Sequence, residues 1–277
     1  MLGIMGMDAA FLQAACAKKK EEGNIIRLIG VKEDPIIHEL SCSGEITVES
    51  VKNGEAVIQT YSDLSSTQVS IQADADTEVV IKGDVTTIVG GQYQGWGYVD
   101  GVMAKQLVFH NSAITSISGF SGKDNADGTS LIESMDVTGC TALTSLNCVS
   151  CTGLTALDLS TNTALTSLNC SYCTGLTALD LSTNTALDSL NCVFCTGLTA
   201  LDLSTNTALT DLECYSCTGL TSIKYPATNS DVSTAIADAI TYATAADGTV
   251  YTDSAAAYYS TIADAATAKG WTIEQLS

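Results

Sequence analysis

Cysteine is the first residue type here that could do chemistry: the chain has 11 in 277 residues. Eight of them fall in four C-x-x-C pairs, Cys148/Cys151, Cys170/Cys173, Cys192/Cys195 and Cys214/Cys217. Two adjacent pairs give C-x2-C-x18-C-x2-C, a spacing that suits a zinc ribbon. The same pairs also suit columns of buried thiols, with equivalent sulfurs at the ~4.8 Å spacing of neighbouring strands. That separation is far from the ~2.05 Å of a disulfide, and a free cysteine behaves as a small buried hydrophobe. The expectation is therefore a cysteine ladder, with no bound metal.

Other reactive types are sparse. The two histidines, His38 and His110, belong to no triad or metal spacing that the sequence shows. No phosphate-binding glycine loop, serine elbow or His-Glu-x-x-His helix occurs. Asp158, Asp180 and Asp202 recur at one period and predict an exposed, solvated carboxylate column. No catalytic residue, no cofactor and no enzymatic activity are expected. Binding is the remaining chemistry. In the pairs Val149-Ser150, Ser171-Tyr172, Val193-Phe194 and Tyr215-Ser216, aromatic residues interrupt a bland Ser/Thr surface. Tyr172, Phe194 and Tyr215 are the candidate binding residues, because aromatic side chains supply contact area at low entropy cost. The alternative is that these rings only pack over a turn.

Charge narrows the partners. There are 31 acidic and 11 basic residues, a formal charge of −20, and five of the basic ones lie between Lys18 and Lys32. A nucleic-acid binder needs clustered Lys and Arg, so none is expected as partner. With 45% hydrophobic and 15% charged residues, the chain is expected to fold rather than to remain a disordered acidic tail.

What must position these residues is a repeat. CTGLTALDLSTNTAL occurs at 151–165, 173–187 and 195–209, a period of 22 that divides into two similar halves of 11. Partial copies stand at 111–119, 129–139, 140–150 and 217–227. The L-x-L alternation predicts short half-buried strands, two per coil, too close together for an intervening helix. Stacking would give two parallel sheets, with Leu157, Leu179 and Leu201 in one inner column facing Leu168, Leu190 and Leu212. One coil cannot stand alone. Ordering 22 residues costs on the order of 1–2 kcal/mol each, and a buried leucine returns only about 1.5–3 kcal/mol.

The recurring L-x-x-L-x-L-x-x-N resembles leucine-rich repeats of the cysteine-bearing type, found in internalin-like surface proteins and in Bacteroidetes proteins. The resemblance covers roughly 111–226. It implies a mainly β leucine-rich-repeat solenoid, and an asparagine ladder at Asn162, Asn184 and Asn206 bonding turn backbone within each coil. The departure is the lack of convex-side helices within the array.

Four regions are expected: an N-terminal helical or anchoring arm (1–35), an irregular β-rich domain (36–128), the solenoid (129–227) and an α/β cap (228–277). In the cap, Ser230 or Asp231 and later Ser254 could start helices, and Gly270 precedes a closing strand. The Gly-rich aromatic loop around Trp96 and Tyr98 reads as a packed surface loop or a sugar or protein contact. The ending DAATAKGWTI resembles closing segments of leucine-rich proteins from Bacteroidetes and their phages. That resemblance implies a phage virion subunit (fibre, collar or capsid decoration), assembled in the host cytoplasm and binding a host-surface glycan or protein. Other virion subunits or sister copies would be held through the N-terminal arm, giving a homo-oligomer. The alternative is a bacterial surface lipoprotein or adhesin held through Cys16, although the KKK run follows the apolar start rather than preceding it. No run of about 20 apolar residues predicts a transmembrane helix.

Overall fold

Alternating burial in the first half of the chain builds two sheets before the repeat begins. The computed structural model describes residues 24–31, 35–90, 92–93, 98–99, 104–120, 132–225, 233–252 and 259–275. Strands β1 (Ile25–Ile29), β2 (Ile36–Cys42), β3 (Glu45–Lys52), β4 (Glu55–Ser62), β5 (Thr67–Ser70), β6 (Glu78–Lys82) and β7 (Val85–Val89) come first. A small hairpin, β8 (Gln92–Tyr93) with β9 (Tyr98–Val99), and then β10 (Gln106–His110) follow. The stack itself supplies β11 (Ser116–Ser118), β12 (Ser134–Asp136), β13 (Ser145–Asn147), β14 (Ser167–Asn169), β15 (Ser189–Asn191), β16 (Ala200–Asp202), β17 (Asp211–Glu213) and β18 (Ser222–Lys224). One sheet runs β12-β10-β1-β6-β3-β4 and the other β17-β15-β14-β13-β11-β7-β2-β5. Their inner residues, among them Leu28, Val48, Ile81, Ile88, Leu107 and Leu168, belong to one buried cluster.

Both sheets cross the region boundaries expected from sequence. Residues 25–29, assigned to an N-terminal arm, instead form β1, with β10 on one side and β6 on the other. Alternation across Ile26 and Leu28 buries them, so this stretch is core. Near residue 128, β12 pairs with β10 and β11 joins β7 to β13. Here pairing changes from antiparallel to parallel, and the leading strands become the first rungs of the stack. Residues 1–23, with the expected arm and Cys16, lie outside the described residues, as does Trp96.

Within the stack β11, β13, β14, β15 and β17 pair in parallel and in register, Leu146 beside Leu168, Leu190 and Leu212. Threonines ahead of these strands add a second rail. The Thr166 hydroxyl donates to Thr144 O at 3.0 Å and Thr144 to Thr115 O at 3.0 Å. The corners interlock more deeply. Asn184 Nδ2 donates to Leu159 O (3.2 Å) and Asn162 O (2.9 Å); Asn162 and Asn206 repeat the pattern one coil back and one coil on. The asparagine ladder therefore reaches the preceding coil rather than closing the turn of its own coil. Those carbonyls already accept turn N–H groups of their own coil, Asn162 N–H on Leu159 O and Leu165 N–H on Asn162 O, so the amide adds a second, inter-coil donor. Gly175, Gly197 and Gly219 occupy the opposite corner, where an added Cβ would lie 2.4–2.7 Å from a threonine carbonyl of the coil before.

The two sides of the coil are unequal. Ser-Leu-Asn rungs form a continuous ladder, whereas 156–158 and 178–180 remain outside any strand although Leu157 and Leu179 are buried. On this side each rung carries an outward Asp. Two ionised carboxylates at the ~4.8 Å rung spacing repel by about 1 kcal/mol in water, and a short three-residue rung has little to set against that. Where the pattern changes, pairing resumes. Lys224 Nζ meets Asp202 Oδ2 at 3.3 Å, and there β16 and β18 join.

From β18 the chain inserts helices: α1 (Ser233–Tyr242), β19 (Thr249–Thr252), α2 (Tyr259–Lys269), β20 (Thr272–Gln275). The strand order β16-β18-β19-β20 is parallel throughout, so the expected cap prolongs the stack, with Ile236 and Ile240 of α1 buried. The expected N-caps lie outside the described residues.

Two outcomes test this account by thermal or denaturant unfolding. Asn184→Ala removes two inter-coil hydrogen bonds while both carbonyls keep their turn N–H partners, and is expected to cost about 1–3 kcal/mol, whereas Asn184→Cys costs less because a thiol retains one donor. Asp158→Asn combined with Asp180→Asn is expected to raise the unfolding midpoint by about 2 °C at low salt, with the gain disappearing at high salt. Loss of stability in that double variant would remove the repulsion argument, since Asn169 already makes the same turn bond on the other side.

Candidate binding site at the coil corner

Each coil turns after its Ser-Leu-Asn rung through a residue in the left-handed region. Ser150, Tyr172, Phe194 and Ser216 occupy this slot with φ of 62°, 60°, 58° and 59°. Glycine or asparagine would sit there with the least strain, whereas a bulky side chain is an outlier costing about 1 kcal/mol or more. The stack imposes the conformation. Tyr172 N–H donates to Val193 O at 2.7 Å and Phe194 N–H to Tyr215 O at 3.2 Å, so the turn bonds forward to the next coil. The Asn169 and Asn191 side chains hold the turn by accepting from Ser171 N and Val193 N.

Three rings meet at this corner. Tyr172 and Phe194 stack with centroids 4.9 Å apart and planes 13° from parallel; Phe194 and Tyr215 meet edge-on at 6.2 Å. They are 36%, 38% and 42% exposed, and all three sit beside fully sealed neighbours such as Cys192 and Cys195. The structure thus brings together the three candidate residues, but not in one slot. Tyr215 aligns with Val149, Ser171 and Val193, which are buried; at the last coil that slot turns outward and places a ring beside Phe194. The left-handed slot was not legible in the sequence, because Ser, Tyr and Phe give no glycine or asparagine signal.

Next to the rings, the outward faces of β15 and β17 carry Ser189, Asn191, Asp211 and Glu213. The Ser189 hydroxyl donates to Asp211, Asn191 to Glu213, and the Thr210 hydroxyl to Asp188 at 2.6 Å. Nearly identical coils differ here, in the rings and in added carboxylates.

No family model and no curated protein matches the chain. Among solved structures it is similar to the functional domain of InlJ from Listeria monocytogenes, described as including a cysteine ladder. The likeness is 23% identical with a TM-score of 0.30, and covers 62% of this chain but 44% of that one. The matched region is less than half of that chain's length, too loose a likeness to assign a fold or an activity.

The thiols are engaged with backbone. Cys173 Sγ donates to Cys148 O at 3.2 Å, Cys195 to Cys170 O at 3.1 Å and Cys217 to Cys192 O at 3.0 Å. In three of the four pairs the second cysteine therefore grips the carbonyl of the first cysteine one coil earlier, and Cys151 grips Phe120 O at 3.1 Å, bonds beyond the van der Waals columns expected from sequence. Cys140 sits in the asparagine slot and donates to Phe109 O. All ten described cysteines are buried and none is in a disulfide, and no group of three or more His, Cys, Asp or Glu among the described residues could hold a metal. Neighbouring thiols and burial push Cys148, Cys170 and Cys192 well above the ordinary thiol range; burial does the same to Cys214 and raises Cys140 to about 12. These five are neutral at pH 7 and poor nucleophiles; hydrogen bonds from Cys148 to Cys173 and from Cys192 to Cys217 draw those two down instead, and burial keeps them from reagents.

The remaining candidates are structural. Asp158, Asp180 and Asp202 are exposed, and each accepts from the backbone N–H two residues on, at 2.9–3.1 Å. His110 Nε2 lies 3.0 Å from Asp136 Oδ2, and Thr138 donates to the same carboxylate. Despite burial, these partners hold Asp136 well below the usual carboxylate range. Gly139 packs against the His110 backbone, where a Cβ would lie 2.5 Å from Cα, so the pair pins the first coils together. Sequence spacing could not show it, because 26 residues separate the partners. The His38 side chain lies outside the described residues.

In the native protein, iodoacetamide is expected to leave these ten cysteines unmodified by mass spectrometry, with modification appearing only when the chain unfolds. Rapid labelling of any C-x-x-C pair under native conditions would contradict the ladder.

Proposed function

We propose that the chain is a non-enzymatic binding protein, a leucine-rich-repeat solenoid that presents Tyr172, Phe194 and Tyr215 to a partner at a biological surface. One observation carries this reading: three contiguous exposed rings, two of them in strained left-handed positions where serine stands in sister coils. Stability does not call for an aromatic residue there. Strain of this kind, held in place by an over-determined scaffold, is characteristic of functional sites. The stacked rings give a flat apolar platform, and Asn191, Ser189 and the adjacent carboxylates give a polar rim, a composition that suits a glycan or a protein surface.

The setting is a virion-associated subunit in the first reading, suggested by the resemblance of the closing segment to phage proteins. A surface lipoprotein is the alternative, and the two part at Cys16. An intact mass with acylated Cys16 as first residue assigns the lipoprotein, and an unmodified N-terminus favours the virion.

Replacing Tyr172, Phe194 and Tyr215 together with serine is expected to weaken binding to intact bacterial cells by about 30-fold or more, the equivalent of 2 kcal/mol. The unfolding free energy should shift by no more than about 1 kcal/mol, because relief of strain offsets lost ring contacts. Unchanged cell binding in a folded triple variant would remove the proposal.

A further inference from the structure

The edges of the sheets are managed very differently. Strands β12, β17, β5, β16 and β20, which end the other sheets or the far side of the same one, are three or four residues long. Short edges offer little to pair with. β4 is the exception, ending the six-stranded sheet with eight residues, EAVIQTYS. It pairs with β3 from Glu45↔Ser62 to Lys52↔Glu55 without a register shift, and its other edge has no backbone partner among the described residues.

None of the usual protections is present on β4. It has no proline, no lysine and no bulge, and its one charge is Glu55 at the end. Ile58, in the middle, is 67% exposed, the most exposed large hydrophobic side chain described. The strand is nonetheless held in place. On its inner side Gln59 Nε2 donates to Ser70 O at 3.2 Å and to Tyr61 Oη at 2.9 Å, and Tyr61 packs against the core. An ordered, flat, uncharged edge is a template for another strand, with its ordering cost already met.

We propose that β4 pairs antiparallel with β4 of a second copy about a two-fold axis at Ile58, joining the two six-stranded sheets into one. The sequence of the strand is complementary to itself in this register. Ile58 faces Ile58 of the second copy, Ala56 faces Thr60, Val57 faces Gln59, and Glu55 faces Tyr61. Outward residues meet outward ones and inward meet inward, and the two glutamates lie at opposite ends with no like charges facing. A different partner for a chain of net charge −20 would be selected by cationic groups, and β4 offers them a single carboxylate.

Sedimentation velocity on the full chain over a concentration series should show the mass doubling, while hydrogen exchange of the β4 amides that point away from β3 slows in parallel. Added salt should strengthen the association, because it screens repulsion between two acidic copies. Ile58→Lys, and separately Thr60→Lys on the same exposed face, should raise the dissociation constant about tenfold or more, the equivalent of 1.4 kcal/mol, with circular dichroism unchanged. A monomer at every concentration, a dimer indifferent to both lysines, or protection in the monomer of the β4 amides that point away from β3 would each overturn the proposal. The dimer and the aromatic corner are separate, so loss of one leaves the other testable.

Discussion

A coil that turns every few residues aims backbone carbonyls at its own interior, and these must be met there or the coil cannot close. In this protein each such carbonyl accepts a turn N–H of its own coil and a second donor from the next coil, an asparagine amide at one corner and a cysteine thiol at the other. Each coil is therefore tied to its successor at both corners. Cysteine can stand in the asparagine slot at Cys140 because it brings a donor without an amide oxygen, whereas Asn162, Asn184 and Asn206 each leave Oδ1 buried without a partner.

That interlocking fixes what the surface can do. Once the corners are held by coil-to-coil bonds, residue 172 or 194 has no freedom over φ, and the side chain carried there is presented in a set direction. A rigid, repeated platform costs little entropy to present, which is the physical basis of the proposed binding role. The thiols that might otherwise suggest metal or redox chemistry are engaged in holding the platform. The histidine that might suggest acid–base chemistry pins the leading sheets to the first coils.

The same physics explains the asymmetry of the coil and the difference between its edges. Rungs with neutral asparagine join into a ladder, rungs with facing aspartates do not, and pairing returns where Asp202 finds Lys224. Short rungs decide little on their own, so a single charge per rung tips the balance. Long β4 has neither charge nor interruption to discourage pairing.

The 22-residue period, the inward leucine columns, the cysteine ladder and the parallel rungs were legible in the sequence, because each depends on alternation and spacing within one coil. The grouping of Tyr172, Phe194 and Tyr215 was legible only as a surface oddity. Contact between side chains in different slots requires the stacking geometry. Tertiary structure alone decided that β1 is core rather than arm, that the asparagines reach backward, and that one side of the coil stays unladdered. It also decided that His110 meets Asp136. These depend on which backbone groups and charges face each other across coils, and a linear pattern carries the spacing of residues but not the direction from which a turn carbonyl takes its second donor.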